Sequence, residues 1–127
     1  MDIRMPPGQY YVGDPCYVFN RKHWDELGAQ TNWFDRSVGE LNGQKMIAFG
    51  TAYGDGLYSD QNGRMYPVDA GLIGVVPVEL IDDDCTFSHS PDCGHLIDFP
   101  QEFHCWEMEG NLKFGVICID TRKGNEE

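Results

Sequence analysis

The sequence predicts a mainly β, single-domain protein, either an antiparallel sandwich or a partly open barrel, with one short helix. Short apolar and aromatic runs recur at hairpin spacing, clusters of Gly, Asn, Asp and Pro separate them, and a single segment carries helix signals. The run GQYYVGDPCYVF reads as two short strands broken at Gly13-Asp14-Pro15, since proline has no ladder donor. Asn20 is an N-cap candidate for RKHWDELGAQ, a short helix with Trp24 and Leu27 on one face and a stop at Gly28.

TNWFDRSVGELNG is expected to be a connecting loop and GQKMIAFGTAY the next strand. GLYS and RMYPV flank Asp60-Gln61-Asn62-Gly63, the best local hairpin signal. AGLIGVVPVELI reads as a strand pair or a bent strand, followed by the acidic loop IDDDCTFSHSPDCGH. HLIDF, EFHCWEME and LKFGVICIDT are strands, with Glu109-Gly110-Asn111 turning the last hairpin. In the final run Leu112, Phe114, Val116 and Cys118 share one face. Residues 122–127 are expected to fray.

A chain of 127 residues suits one domain, 1–127. Its apolar runs are too short and too broken by Gly and Pro to span a bilayer. MDIRMPPGQYY has no apolar stretch of the secretory kind, so cytoplasmic residence is the expectation. The net charge is −12, and between Met65 and Leu112 there is no Lys or Arg while ten Asp or Glu occur. Nucleic-acid binding needs the opposite sign, because affinity comes from neutralising phosphates. The acid serves either solubility or a decoy surface for a partner's basic groove. Five cysteines in this setting read as reduced thiols, with Cys16 and Cys118 in the core.

The stretch TAYGDGLYSDQNGRMYPVDAG, residues 51–71, concentrates aspartate, glycine and tyrosine. Asp14 follows Gly13, Asp55 lies between two glycines and Asp69 begins a Gly-flanked apolar strand; glycine leaves a nearby carboxylate uncovered for acid–base work, whereas Asp60 reads as a turn residue. An EF-hand register fails, because its first position would be Tyr58 and no helices flank it. Nucleotide-loop, nucleophile-elbow and zincin motifs are lacking, and no cofactor is expected. Tyr53, Asp55, Tyr58, Tyr66 and Asp69 have the composition of a small-molecule pocket, with Arg64 and Lys45 as cations for any phosphate. Cys85, His89, Cys93, His95, His104 and Cys105 invite a zinc reading, but no C-x2-C knuckle occurs. His104 and Cys105 would also point to opposite faces of one strand.

GQYYVGDPCYVF with a Trp-containing helix, FGTAYGDGLYSDQNGRMYPVDAGLIGVVP and FGVICIDT together resemble a family of small proteins of bacteriophages and large DNA viruses. The resemblance covers most of the chain, leaves out the cysteines of the acidic loop, and implies context without an activity. In that context three functions are expected. The first is a viral accessory protein that sequesters a small host molecule, plausibly a nucleotide-derived immune signal, through Asp14, Tyr53, Asp55, Tyr58, Arg64, Tyr66 and Asp69. The second is an acidic decoy that occludes a host protein through the span from Glu79 to Glu109. The third is a hydrolase using Asp14, Asp55 or Asp69. The expected partner is thus a small molecule or a host protein, with homo-oligomer formation left open.

Overall fold

The computed structural model describes residues 2–122. The expected fraying of 122–127 falls outside these residues except for Arg122, which is exposed and paired to Asp120 at 3.0 Å. The chain is mainly β, with eleven strands in antiparallel sheets, one long helix and no closed barrel among the described residues. The strands are β1 (Ile3–Met5), β2 (Gly8–Gly13), β3 (Val38–Leu41), β4 (Gln44–Gly50), β5 (Gly56–Ser59) and β6 (Met65–Val68). They continue with β7 (Leu72–Pro77), β8 (Gly94–Phe99), β9 (Phe103–Met108), β10 (Asn111–Phe114) and β11 (Ile117–Asp120). Helix α1 is Arg21–Thr31 and the single-turn α2 is Thr86–His89. No helix of the described residues is long and apolar enough to cross a membrane.

A five-stranded sheet, in the order β3-β4-β7-β2-β8, faces a four-stranded sheet, β1-β9-β10-β11. Between them Val12, Ile47, Phe49, Ile73 and Val75 meet Met5, Phe103, Leu112, Phe114 and Ile119. The other face of the larger sheet lies under α1, where Tyr11, Met46, Ala48 and Val76 meet Leu27 and Trp24. Alternation along β2 and β4 supplies both cores, and β7, covered on both sides, is buried throughout.

A row of small residues crosses the helix-side face. Gly94 pairs with Gly13, Gly13 with Gly74, and Gly74 with Ala48. The Tyr11 ring lies in this trough, and its hydroxyl donates to the carbonyls of Asp14 and Cys93 at 2.9 and 3.2 Å. A Cβ on Gly94 would stand 2.1 Å from that ring.

Several expected boundaries shift. GDPCYVF continues β2 not as a second strand but as a 3-10 turn over Pro15–Tyr17. Asn20 caps α1 as expected, accepting from the His23 N–H at 2.9 Å. Gly28, however, lies inside the helix, because its missing Cβ admits the Trp33 ring. The helix stops at Asn32, the first of three successive left-handed residues with Trp33 and Phe34. The loop expected from Thr31 to Gly43 contains β3 and a two-residue Asn42-Gly43 hairpin into β4. AGLIGVVPVELI is one strand followed by a 3-10 turn.

LKFGVICIDT is two strands, because Gly115, at φ 62°, and Val116 form a two-residue turn between Phe114 and Ile117. The turn at Glu109-Gly110 therefore makes the penultimate hairpin. The new turn also changes parity: Ile117 and Ile119 face the core, Val116 is exposed, and Cys118, expected in the core, is half-buried. Cys16 is half-buried too.

Candidate functional site

The stretch 51–71 forms the β5–β6 hairpin, which straps the open side of the sandwich. Gln61 accepts from the Cys118 N–H at 2.9 Å and donates to the Val116 carbonyl, so its side chain extends the exposed edge of β11. On the other side the His95 ring bonds the Met65 carbonyl at 2.8 Å, tying β6 to β8. Tyr58 and Tyr66 pair across the hairpin and point inward, each fully buried.

These two tyrosines, expected in a pocket, are core residues. The Tyr58 hydroxyl donates to the Gly54 carbonyl at 2.8 Å and the Tyr66 hydroxyl to Asp60 at 2.7 Å. Asp60 is the turn residue that the sequence suggests. Its carboxylate also accepts from the Asn62 and Arg64 backbone at 2.8 and 3.0 Å and from the Arg64 guanidinium at 3.2 Å. Arg64 is thus committed to the turn rather than held out for a phosphate. Burial pulls the Asp60 pKa upward, but the Tyr66 hydroxyl, the two backbone N–H groups and Arg64 outweigh it and hold the carboxyl below its ordinary 3.8.

A depressed folded pKa stabilises fully above the ordinary value, and the benefit is lost as pH falls through the folded one. Asp60→Asn is expected to cost about 1–3 kcal/mol near neutrality. Urea denaturation should show that difference shrinking at pH values below 3.8.

Asp14 is the other correction. The carboxylate expected to be open beside Gly13 is completely buried. One oxygen accepts from the Cys16 N–H at 3.0 Å, and the other from the N–H groups of Asp69 and Ala70 at 2.9 and 2.7 Å. Desolvation raises its pKa against the pull of those donors. It therefore splices the β2 turn to the β6–β7 turn, and no substrate reaches it. The loop 51–55 joins the same end, with the Thr51 N–H on the Gly71 carbonyl at 3.0 Å. Tyr53, Asp55 and Asp69 are exposed there. The structure thus brings together Asp14, Tyr53, Asp55, Tyr58 and Asp69 at one loop end, and leaves Arg64 and Tyr66 at the turn end of the hairpin.

The cysteines and histidines are dispersed. His104 on β9 faces out and bonds Asp2 at 2.9 Å, while Cys105 is buried in the inner core. No group of three or more His, Cys, Asp or Glu among the described residues is placed to hold a metal. Burial pushes the Cys105 thiol up to about 12, and raises Cys16 and Cys93 as well, so these thiols are protonated and poor nucleophiles. Lys45, the other cation considered, donates to the Arg4 carbonyl at 3.1 Å.

The concavity that stands out lies elsewhere. Where β8 passes into β9, a groove of about 380 Å³ opens between residues 97–106 and the β10–β11 turn. That volume falls within the range of small-ligand sites. Its floor is the Phe99–Phe103 pair, stacked at 3.8 Å and braced edge-on by Tyr10. Its walls are Trp106 and Val116, the latter 76% exposed. Lys113 stands over the Trp106 ring at 5.7 Å, and Asp98 and Glu102 form the rim. The turn is pinned by the Gly115 N–H on the His104 carbonyl at 2.8 Å. A Cβ on Gly115 would press on both phenylalanines at 3.2 Å, and its φ of 62° favours glycine.

No family model, curated protein or solved structure matches the chain. The groove is therefore judged on its own chemistry. It is apolar and aromatic within and mixed in charge at the rim, where Asp98, Glu102 and His104 are exposed. The sequence reading missed it. The available signal was β9, whose outward set His104, Trp106 and Met108 remains partly apolar although the inward set already fills the core.

Proposed function

We propose that this protein works by binding, and that the Trp106–Val116 groove is its recognition site. The observation that carries this reading is the exposed Val116 beside Trp106 over a rigid aromatic floor, an apolar concavity of ligand size in a charged surface. The likeness of the motifs to proteins of phages and large DNA viruses supports a role in obstructing host machinery. A nucleotide-derived signal fits the groove poorly. Its phosphates would meet Asp98 and Glu102 in a chain of charge −12, with Lys113 as counter-charge. Capture of a compact apolar or aromatic group fits better, either on a small host molecule or on the surface of a host protein. The net charge of −12 supports the second source.

Fluorine-detected NMR of a fragment library against the purified protein tests the site. Fragments that bind should lose affinity by about tenfold or more in Trp106→Ala and Val116→Asp. Both variants should keep the unfolding midpoint close to wild type, because the two side chains lie outside the buried core. Fragments that bind both variants with undiminished affinity would refute the assignment.

A further inference from the structure

Taking the groove as the recognition site, we infer that its occupant is a positively charged segment of a partner protein, which seats an apolar or aromatic side chain between lysines or arginines. Charge complementarity chooses this occupant. Around the mouth Asp2, Asp98 and Glu102 stand against Arg4 and Lys113, an excess of one negative charge within a chain of −12. The protein's own cations are already engaged. Arg4 lies 3.9 Å from Glu102, and Lys113 stands over Trp106. An anionic ligand would have to pull them from those partners and then face the unscreened acids.

A basic segment meets the reverse situation. Its cations find Asp98 exposed at the rim and can take over Glu102 from Arg4, whose long 3.9 Å exposed pairing is weak, and its apolar anchor finds Phe99, Phe103 and Val116. The negative field of the whole chain speeds the encounter, while the buried anchor slows release. The chain from Met65 to Leu112 brings no Lys or Arg to compete for the rim.

The probe is a random-peptide display library selected on the full chain, followed by titration of the enriched peptides. They should carry Lys or Arg on both sides of Leu, Phe, Tyr or Trp. Their affinity should fall by about tenfold in the Asp98→Asn/Glu102→Gln double variant, and further on raising salt. It should fall at least as far in Val116→Asp, and Asp25→Asn, on the helix at the opposite side of the larger sheet, should leave it unchanged. Neutral or acidic peptides that nonetheless need Val116 would overturn the basic-segment inference while leaving the groove reading intact. Basic peptides indifferent to Val116→Asp would overturn the groove reading itself. Failure to enrich any peptide would also overturn the inference.

Discussion

Gly74→Val is expected to abolish stable folding, the largest effect of any single substitution considered. Gly74 lies at the middle of β7, the central strand of the five-stranded sheet, between Gly13 on β2 and Ala48 on β4. A Cβ there would stand 1.9 Å from the Ile47 carbonyl oxygen and 2.8 Å from the Ala48 Cα. Both are backbone atoms, so no rotamer change relieves the clash. β7 would have to separate from β4, exposing both cores, at a cost of more than about 4 kcal/mol. Circular dichroism and urea denaturation should show no cooperative transition at 25 °C, and Gly74→Ala should already lower the midpoint severely. A Gly74→Val protein with a near-normal midpoint would mean that β4 and β7 do not meet in this register.

Asp14→Ala is expected to cost about 3–5 kcal/mol, because it strips the acceptor from three N–H groups around a buried site. Asp14→Asn keeps the volume but turns an NH2 group toward donors that need an acceptor, so it should recover little of the loss. The damage should be local before it is global. Hydrogen exchange at Cys16, Asp69 and Ala70 should accelerate in Asp14→Asn even where the fold survives. The raised folded pKa of Asp14 sets the sign of its pH dependence. The native state binds the proton more readily than the unfolded chain, so the stability tied to this group falls as pH rises from 3.8 through the folded value. An Asp14→Ala protein with wild-type stability and unchanged exchange would place the carboxylate outside this clamp and return it to the list of residues open to a ligand.

Much of the fold was legible because it rests on short-range rules. The Asn20 cap, the Asn62-Gly63 hairpin and the Glu109-Gly110 turn are local chemistry, and the structure keeps all three. What was missed depended on context. Asn42-Gly43 is the same dipeptide as Asn62-Gly63, but VGEL before it alternates too weakly to look like a strand. β1 is three residues long and exists by pairing Ile3–Met5 with Phe103–Cys105, about a hundred positions away. The two-residue turn at Gly115-Val116 hides inside a continuous apolar run, and overlooking it reverses the face assigned to everything after it.

The site was harder to read, for a physical reason. Aspartates beside glycines look available in a sequence, yet a buried carboxylate surrounded by turn N–H groups has the same local spelling. Asp14 is of that kind, whereas Asp60, with no glycine beside it, already reads as a turn residue. The groove joins residues 97–106 to Lys113 and Val116, and its floor forms once Phe99 stacks on Phe103 and Tyr10 braces both. Nothing local to Val116 announces that the turn leaves it 76% exposed.

We propose recognition in the groove, with residues 51–71 closing the sandwich. Protein-observed amide NMR during titration with the selected fragments or peptides tests it most directly. Shifts are expected at Gln101–Trp106, at Lys113–Val116 and on the Trp106 indole N–H, with the amides of Tyr53–Asp55 and Asp69–Gly71 unmoved. Shifts centred on Tyr53, Asp55 and Asp69, with a silent Trp106, would contradict it and return the binding site to the aspartate-rich loops.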